Sequence, residues 1–141
     1  MSGRELNEAG SAAPKRKKLK IVVKRAYAEA TPEDGYRVLV DRVWPRGCSK
    51  GTLALGQWAR DIAPSATLRT WFGHKPERWD EFQRRYRHEL DAEEQRQRLR
   101  GLVEGAAGRT ITLVYGAKDE IHNQAIVLRD VLLHLLEEPR H

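Results

Sequence analysis

The chain has very little cysteine: Cys48 is alone among 141 residues. A disulfide within the chain is excluded, and a reducing compartment is the natural setting. No apolar run approaches the length that spans a membrane, and the first twenty residues lack the apolar stretch of a secretory signal. These absences predict a cytoplasmic protein with no membrane association. Neither Gly-x-Gly-x-x-Gly nor a Walker-type loop occurs, so no motif supports a dinucleotide or ATP. His74, Asp119 and His122 could meet in space, but no Cys or His pair has a zinc spacing, and neither a metal nor a cofactor is expected. His88, His134 and His141 read as surface groups. Internal repeats and helix-turn-helix spacing are also missing.

What is present begins with charge. The formal net charge is +6, yet residues 1–20 hold Arg4, Lys15, Arg16, Lys17, Lys18 and Lys20 against Glu5 and Glu8. The leader thus accounts for +4 and the remainder for only +2. Residues 1–18 read as a flexible basic leader, and residues 19–141 as one domain with a real core.

Apolar patterning predicts the elements. Leu19 to Val23 suggests a first strand, and Tyr36 to Val43, centred on Val38, Leu39 and Val40, a second. Thr31–Pro32–Glu33–Asp34–Gly35 supplies a turn between them. The region from Leu53 to about Gly105 reads helical. Within it, Trp79, Phe82, Tyr86 and Leu90 form one apolar face of a helix opened by Pro76, and Leu99, Leu102 and Val103 form a second stripe. Thr110 to Val114 gives a β-branched strand, and Ala125, Ile126, Leu128, Val131, Leu132, Leu135 and Leu136 recur at helical spacing. The order predicts an α/β fold with a small, mostly parallel sheet and packed helices.

Between that last strand and helix lies Tyr115–Gly116–Ala117–Lys118–Asp119–Glu120–Ile121–His122–Asn123, the densest run of reactive side chains. Ligands collect at carboxyl ends of parallel strands and at helix N-termini. If the helix begins at Asp119, its carboxylate can orient His122 as a general base, with Tyr115 a phenol donor and Lys118 a cation. Asp119 could equally be only the N-cap, with Asn123 closing a loop and Lys118 solvated. Two further segments point the same way. Asp41–Arg42–Val43–Trp44–Pro45–Arg46–Gly47 leaves the second strand with two guanidinium forks suited to phosphate or carboxylate, beside an indole able to wall a pocket. Trp71–Phe72–Gly73–His74 puts a histidine at a corner. In the plainer reading Trp44 is core, Arg42 and Arg46 pair with surface acids, and His74 is a hydrogen-bonded loop residue.

Asp41 to Gly47, Trp58 with Asp61 and Ala63–Pro64–Ser65, Trp71 to His74, Trp79 with Phe82 and Tyr86, and Ala117–Lys118–Asp119 with His122–Asn123 stand in one order. Together they resemble the YeaO-like family of bacterial proteins, a domain of unknown function. The resemblance runs from about Val23 to the C-terminus and implies a small cytosolic α/β domain. The wider group often carries a Cys-His pair at the start of the last helix. His122 and Asn123 stand near that place here, so the resemblance implies no thiol nucleophile. Cys48 stands where relatives tend to have an aliphatic residue.

The functional expectation is a pocket for a phosphate- or carboxylate-bearing small molecule. Arg42, Arg46, Trp44, His74, Lys118 and Asn123 would bind it, and His122, Asp119 and Tyr115 would carry any catalysis. One alternative is a nucleic-acid-associated or regulatory protein using Lys15, Arg16, Lys17 and Lys18 as a phosphate-neutralising arm. Another is a scaffold in which Trp44, Trp58, Trp71 and Trp79 serve core and interface.

Overall fold

A computed structural model describes residues 19–137. The leader and its arm, Lys15 to Lys18, lie outside the described residues, as does His141. Four strands, β1 (Ile21–Arg25), β2 (Tyr36–Leu39), β3 (Gln57–Trp58) and β4 (Ile111–Tyr115), form a sheet in the order β1-β4-β2-β3. Every pairing is parallel. The helices are α1 (Lys50–Leu53), α2 (Ala66–Phe72), α3 (Trp79–Leu90), α4 (Glu93–Ala106) and α5 (Gln124–Glu137). Among the described residues no helix is long and apolar enough to cross a membrane.

The two central strands alternate across the sheet, as the pleat requires. Val38, Val40, Ile111, Leu113 and Tyr115 join the main core, together with Phe72, Phe82, Tyr86, Leu90, Leu99, Leu102, Leu128 and Leu132 from the helices. On the other face Leu39 and Val114 pack with Ala26 and Leu53 under Trp44, Cys48, Leu55 and Trp58. A parallel sheet needs cover on both sides. Here helices cover one side, while α1 and the loop carrying Trp44 cover the other, with Trp58 of β3 packed beside them.

Three local expectations need correction. The second strand ends at Leu39 rather than Val43; Val40 still donates to the Val114 carbonyl at 3.0 Å, but Asp41 and Arg42 then bond to other elements. The stretch expected to be helical from Leu53 onward contains β3, whose flanks bond to β2 through Gly56 N–H to Arg37 O and Ala59 N–H to Leu39 O, both at 2.8 Å. Two residues are too few to carry a periodicity. Helix α5 starts at Gln124, not Asp119.

The link from β1 to β2, residues 26–35, crosses β4 with only a 3-10 turn at Pro32–Asp34. Parallel strands of one sheet usually need a longer crossover, and a polar cluster fixes this short one. Asp34 is buried; its carboxylate accepts from Lys24 Nζ at 3.0 Å, Thr31 N–H at 3.1 Å and Arg37 Nη1 at 2.6 Å. Its carbonyl accepts from the Thr112 hydroxyl at 2.7 Å. Arg37 also donates Nε–H to Leu53 O at 2.7 Å, which ties α1 to the same cluster. Gly35 follows at φ +63°, where an added Cβ would lie 2.4 Å from Thr110 O. Both the dihedral and the contact demand glycine.

Burial alone would raise the Asp34 pKa, but hydrogen bonds from Thr31, Lys24 and Arg37 outweigh it and hold the carboxyl at about 2. A depressed acid stabilises the fold above its unfolded pKa and loses that contribution as pH falls through the folded one. Replacing Asp34 by Ala strands Lys24 and the buried Arg37, and should cost about 3–5 kcal/mol at pH 7 in urea unfolding. That deficit should shrink as pH falls from about 4 towards 2. Glu81→Ala, which breaks exposed pairs with Arg84 and Arg85, should cost under about 1 kcal/mol; equal costs would show that the cluster is not what fixes the crossover.

Candidate functional site

At the carboxyl ends of β2 and β4, beside the start of α5, the surface opens into a cleft of about 300 Å³. This is the small end of ligand-site volumes. Three chain segments form most of it: Asp41 to Arg46 leaving β2, Arg69 to His74 ending α2, and Gly116 to Gln124 joining β4 to α5.

Asp41 organises the floor. Its Oδ2 accepts from Gly116 N–H at 2.9 Å, its Oδ1 accepts from the Gln124 side-chain amide, and its carbonyl accepts from the Trp58 indole at 2.8 Å. Gly116 has no side chain to obstruct this, and a Cβ there would stand 2.8 Å from Oδ2. Burial pushes the Asp41 pKa up to about 6, against the opposing pull of the Gly116 and Gln124 hydrogen bonds and of Arg69 and His74. Perturbed carboxyls in clefts mark candidate sites.

Arg42 lines the cleft, but its guanidinium is partly engaged: Nε donates to Pro64 O at 3.1 Å and Nη2 to Ala63 O at 3.3 Å. The Ser65 hydroxyl and N–H in turn donate to Glu89 on α3, at 2.6 and 3.0 Å. Arg42 therefore braces the 63–65 turn. Arg46 is exposed at the mouth. Trp44 donates Nε1–H to Cys48 O at 2.7 Å and meets Trp58 edge-on at 5.3 Å. It is both core and cleft wall.

His74 lines the cleft at φ +57°, directly after Gly73 at φ +54°. Two successive left-handed residues turn the chain back, a conformation histidine adopts more readily than branched residues. His122 lies opposite, with Nδ1 at 2.8 Å from Asp119 Oδ2 and its ring edge-on to Trp79 at 5.3 Å. The pair expected on a first helical turn thus forms in a loop instead. Asp119 Oδ1 accepts from Ile121 and His122 N–H, both at 2.9 Å. Hydrogen bonds from the His122 and Ile121 backbone and the His122 ring hold its pKa at about 2. Asn123 caps α5: its Oδ1 accepts from Ala125 N–H at 3.0 Å and Ile126 N–H at 3.3 Å.

Arg42, Trp44, Arg46, His74, His122 and Asn123 therefore line one cleft, and Asp119 touches it through His122. Lys118 is exposed and outside the lining. Tyr115 is buried in the main core, where desolvation raises its phenol pKa. It is not itself part of the lining, although its phenol is hydrogen-bonded to the side chain of Asn123, which is. Sequence reasoning passed over Asp41, Arg69, Gln124 and Tyr27. Asp41 had one signal, a carboxylate directly after an apolar parallel strand; the others had none. Among the described residues no group of three or more His, Cys, Asp or Glu could hold a metal ion.

A raised carboxyl binds a proton more tightly in the native state, so its contribution to stability falls as pH rises from about 4 to about 6. Compared with Asp41→Asn, which cannot ionise, the wild type should lose on the order of 2–3 kcal/mol between pH 4 and 7. Urea unfolding of both proteins at several pH values measures this, and the difference cancels the histidines common to both. A difference independent of pH would refute the raised pKa.

Comparison with known proteins adds the family. The model of the inactive DUF488-N3 subclade matches residues 20–141. The chain is 41% identical over 117 residues to the uncharacterized protein YeaO of Escherichia coli (strain K12), covering 83% of this chain and 100% of that one. It is also 41% identical over 114 residues to the uncharacterized protein Rv3073c of Mycobacterium tuberculosis (strain H37Rv), covering 80% and 93%. No solved structure matches the chain. With a family model spanning nearly all of the folded region, and a relative matched along its whole length, the chain belongs to the YeaO-like family, in the inactive DUF488-N3 subclade.

Proposed function

We propose that the cleft binds an anionic small molecule carrying a phosphate or carboxylate, in a cytoplasmic protein. The carrying observation is an imbalance of charge. Arg42, Arg46 and Arg69 line the cleft against one acid, Asp41, while His74 adds a ring nitrogen and His122 is already paired with Asp119. Both oxygens of that acid already accept hydrogen bonds from the protein's own groups. The Arg46 and Arg69 guanidiniums have no hydrogen-bond or ion-pair partner among the described residues. Each thus offers a planar fork of donors suited to an oxyanion. The start of α5 adds the favourable end of a helix dipole.

A second reading, general-base catalysis by His122 oriented by Asp119, is favoured by their 2.8 Å contact. The subclade's description as inactive supports binding without turnover. The nucleic-acid alternative rests on Lys15 to Lys18, outside the described residues.

Thermal melting with phosphate, sulfate, sugar phosphates, nucleotides and small carboxylates tests the proposal. A ligand at a hundred times its Kd stabilises by about 2.7 kcal/mol, a shift of several degrees. Arg46→Ala and Arg69→Ala remove exposed side chains, so each should melt close to the wild type alone and lose most of the ligand-induced shift. No shift from any anion, or an undiminished shift in both variants, would refute the reading.

A further inference from the structure

The cationic groups explain how an anion would be held but leave the aromatic side of the same cleft unused. Tyr27, in the turn after β1, lines the cleft and is 51% exposed. An exposed tyrosine is ordinarily mobile, but this one is fixed at two points. Its hydroxyl donates to Arg46 O at 2.9 Å. The Arg25 guanidinium covers one ring face at 5.2 Å from the centroid, and Arg25 Nε is itself held by Ala117 O at 3.1 Å. The hydroxyl bond reaches the backbone of the residue whose side chain offers one of the two uncommitted guanidiniums. Ring and cation are therefore coupled at one mouth of the cleft.

We infer that the ligand is a phosphorylated compound with a planar aromatic ring, its phosphate held by Arg46 and Arg69 and its ring stacked on Tyr27. This rests on the anion-binding reading and deepens it. An aromatic face already immobilised loses little entropy on contact with a flat ring. The Arg25 cation behind the tyrosine and the polar edge of a stacked ring complete a layered arrangement of the kind that holds nucleobases on aromatic residues. The ring atoms of Trp44, Phe72 and Phe82 elsewhere in the lining supply an apolar wall but are committed to the core: Phe72 stacks on Phe82 at 4.4 Å and Trp44 meets Trp58. Tyr27 is the aromatic residue of the lining with more than half its surface open.

Calorimetric titration of the full chain with inorganic phosphate, phenyl phosphate, a nucleoside monophosphate, the matching nucleoside and a short single-stranded oligonucleotide tests this. Phenyl phosphate and the nucleotide should bind about tenfold more tightly than inorganic phosphate, the scale of one stacked ring. The nucleoside alone should bind more weakly than its phosphate. Tyr27→Leu should bring the aryl phosphates down to the level of inorganic phosphate while leaving inorganic phosphate within about twofold. Tyr27→Phe, which keeps the ring, should retain most of the preference. Equal affinity for inorganic and phenyl phosphate, or a preference that survives Tyr27→Leu, would overturn the inference and leave the anion reading standing. Binding of the oligonucleotide with none of either aryl phosphate would also overturn it. Failure of phosphate and both aryl phosphates to bind would remove both readings.

Discussion

The cleft depends on what happens to Asp41 when β2 ends. A half-buried carboxylate must find donors, and this one finds them on separate elements: the Gly116 N–H where β4 ends and the Gln124 amide where α5 begins. Its own carbonyl meanwhile receives the Trp58 indole of β3. One residue thereby sets how the exit of β2 stands to the other two strand ends and to the last helix. Desolvation remains incompletely offset, which is why the carboxyl sits near 6. Arg42, the next residue, extends the same tie to the Ala63 and Pro64 carbonyls and so to the start of α2.

Strand β2 is bracketed by two aspartates that titrate in opposite directions. Asp34, before it, has little exposed surface yet is held near 2, because Thr31, Lys24 and Arg37 converge on it. Asp41, after it, has neutral donors and only distant cations, and rises. The difference divides the sheet's two ends. At one end cations are consumed by a structural acid that fastens a short crossover; at the other, Arg46 and Arg69 remain uncommitted around a cleft. A surplus of positive charge left at the carboxyl end of a parallel sheet, where strand ends and a helix start converge, is the physical ground for the proposal of an anion site.

Much of this was readable from the residues. Phe82, Tyr86 and Leu90 are buried on α3 at the spacing that marks them, and the β-branched run at Ile111 to Val114 is one of the two central strands. The three segments around Arg46, His74 and His122 meet at one cleft. Other features were not legible. Strand β3 is two residues long and forms only because β2 offers an edge. The brace made by Arg42 and the bonds made by Asp41 join residues 22, 75 and 83 positions apart, which local pattern does not encode. Tyr115 and Lys118 looked like site groups by adjacency, but the pleat turns one into the core, and the other is exposed outside the cleft.

The residues alone specify the class of fold, the order of the longer strands and helices, the family, and the three loops rich in polar side chains. Those follow from periodicity, composition and ordered motifs, all of which are local or nearly so. Packing sets which of those side chains are free to act. It engaged Arg42 with backbone carbonyls, buried Tyr115, capped α5 with Asn123, and raised Asp41 by withdrawing it from water. Whether a charged or aromatic group is spent on the fold or left for a ligand depends on partners distant in the chain and on the solvent they exclude, and only the packed structure fixes both.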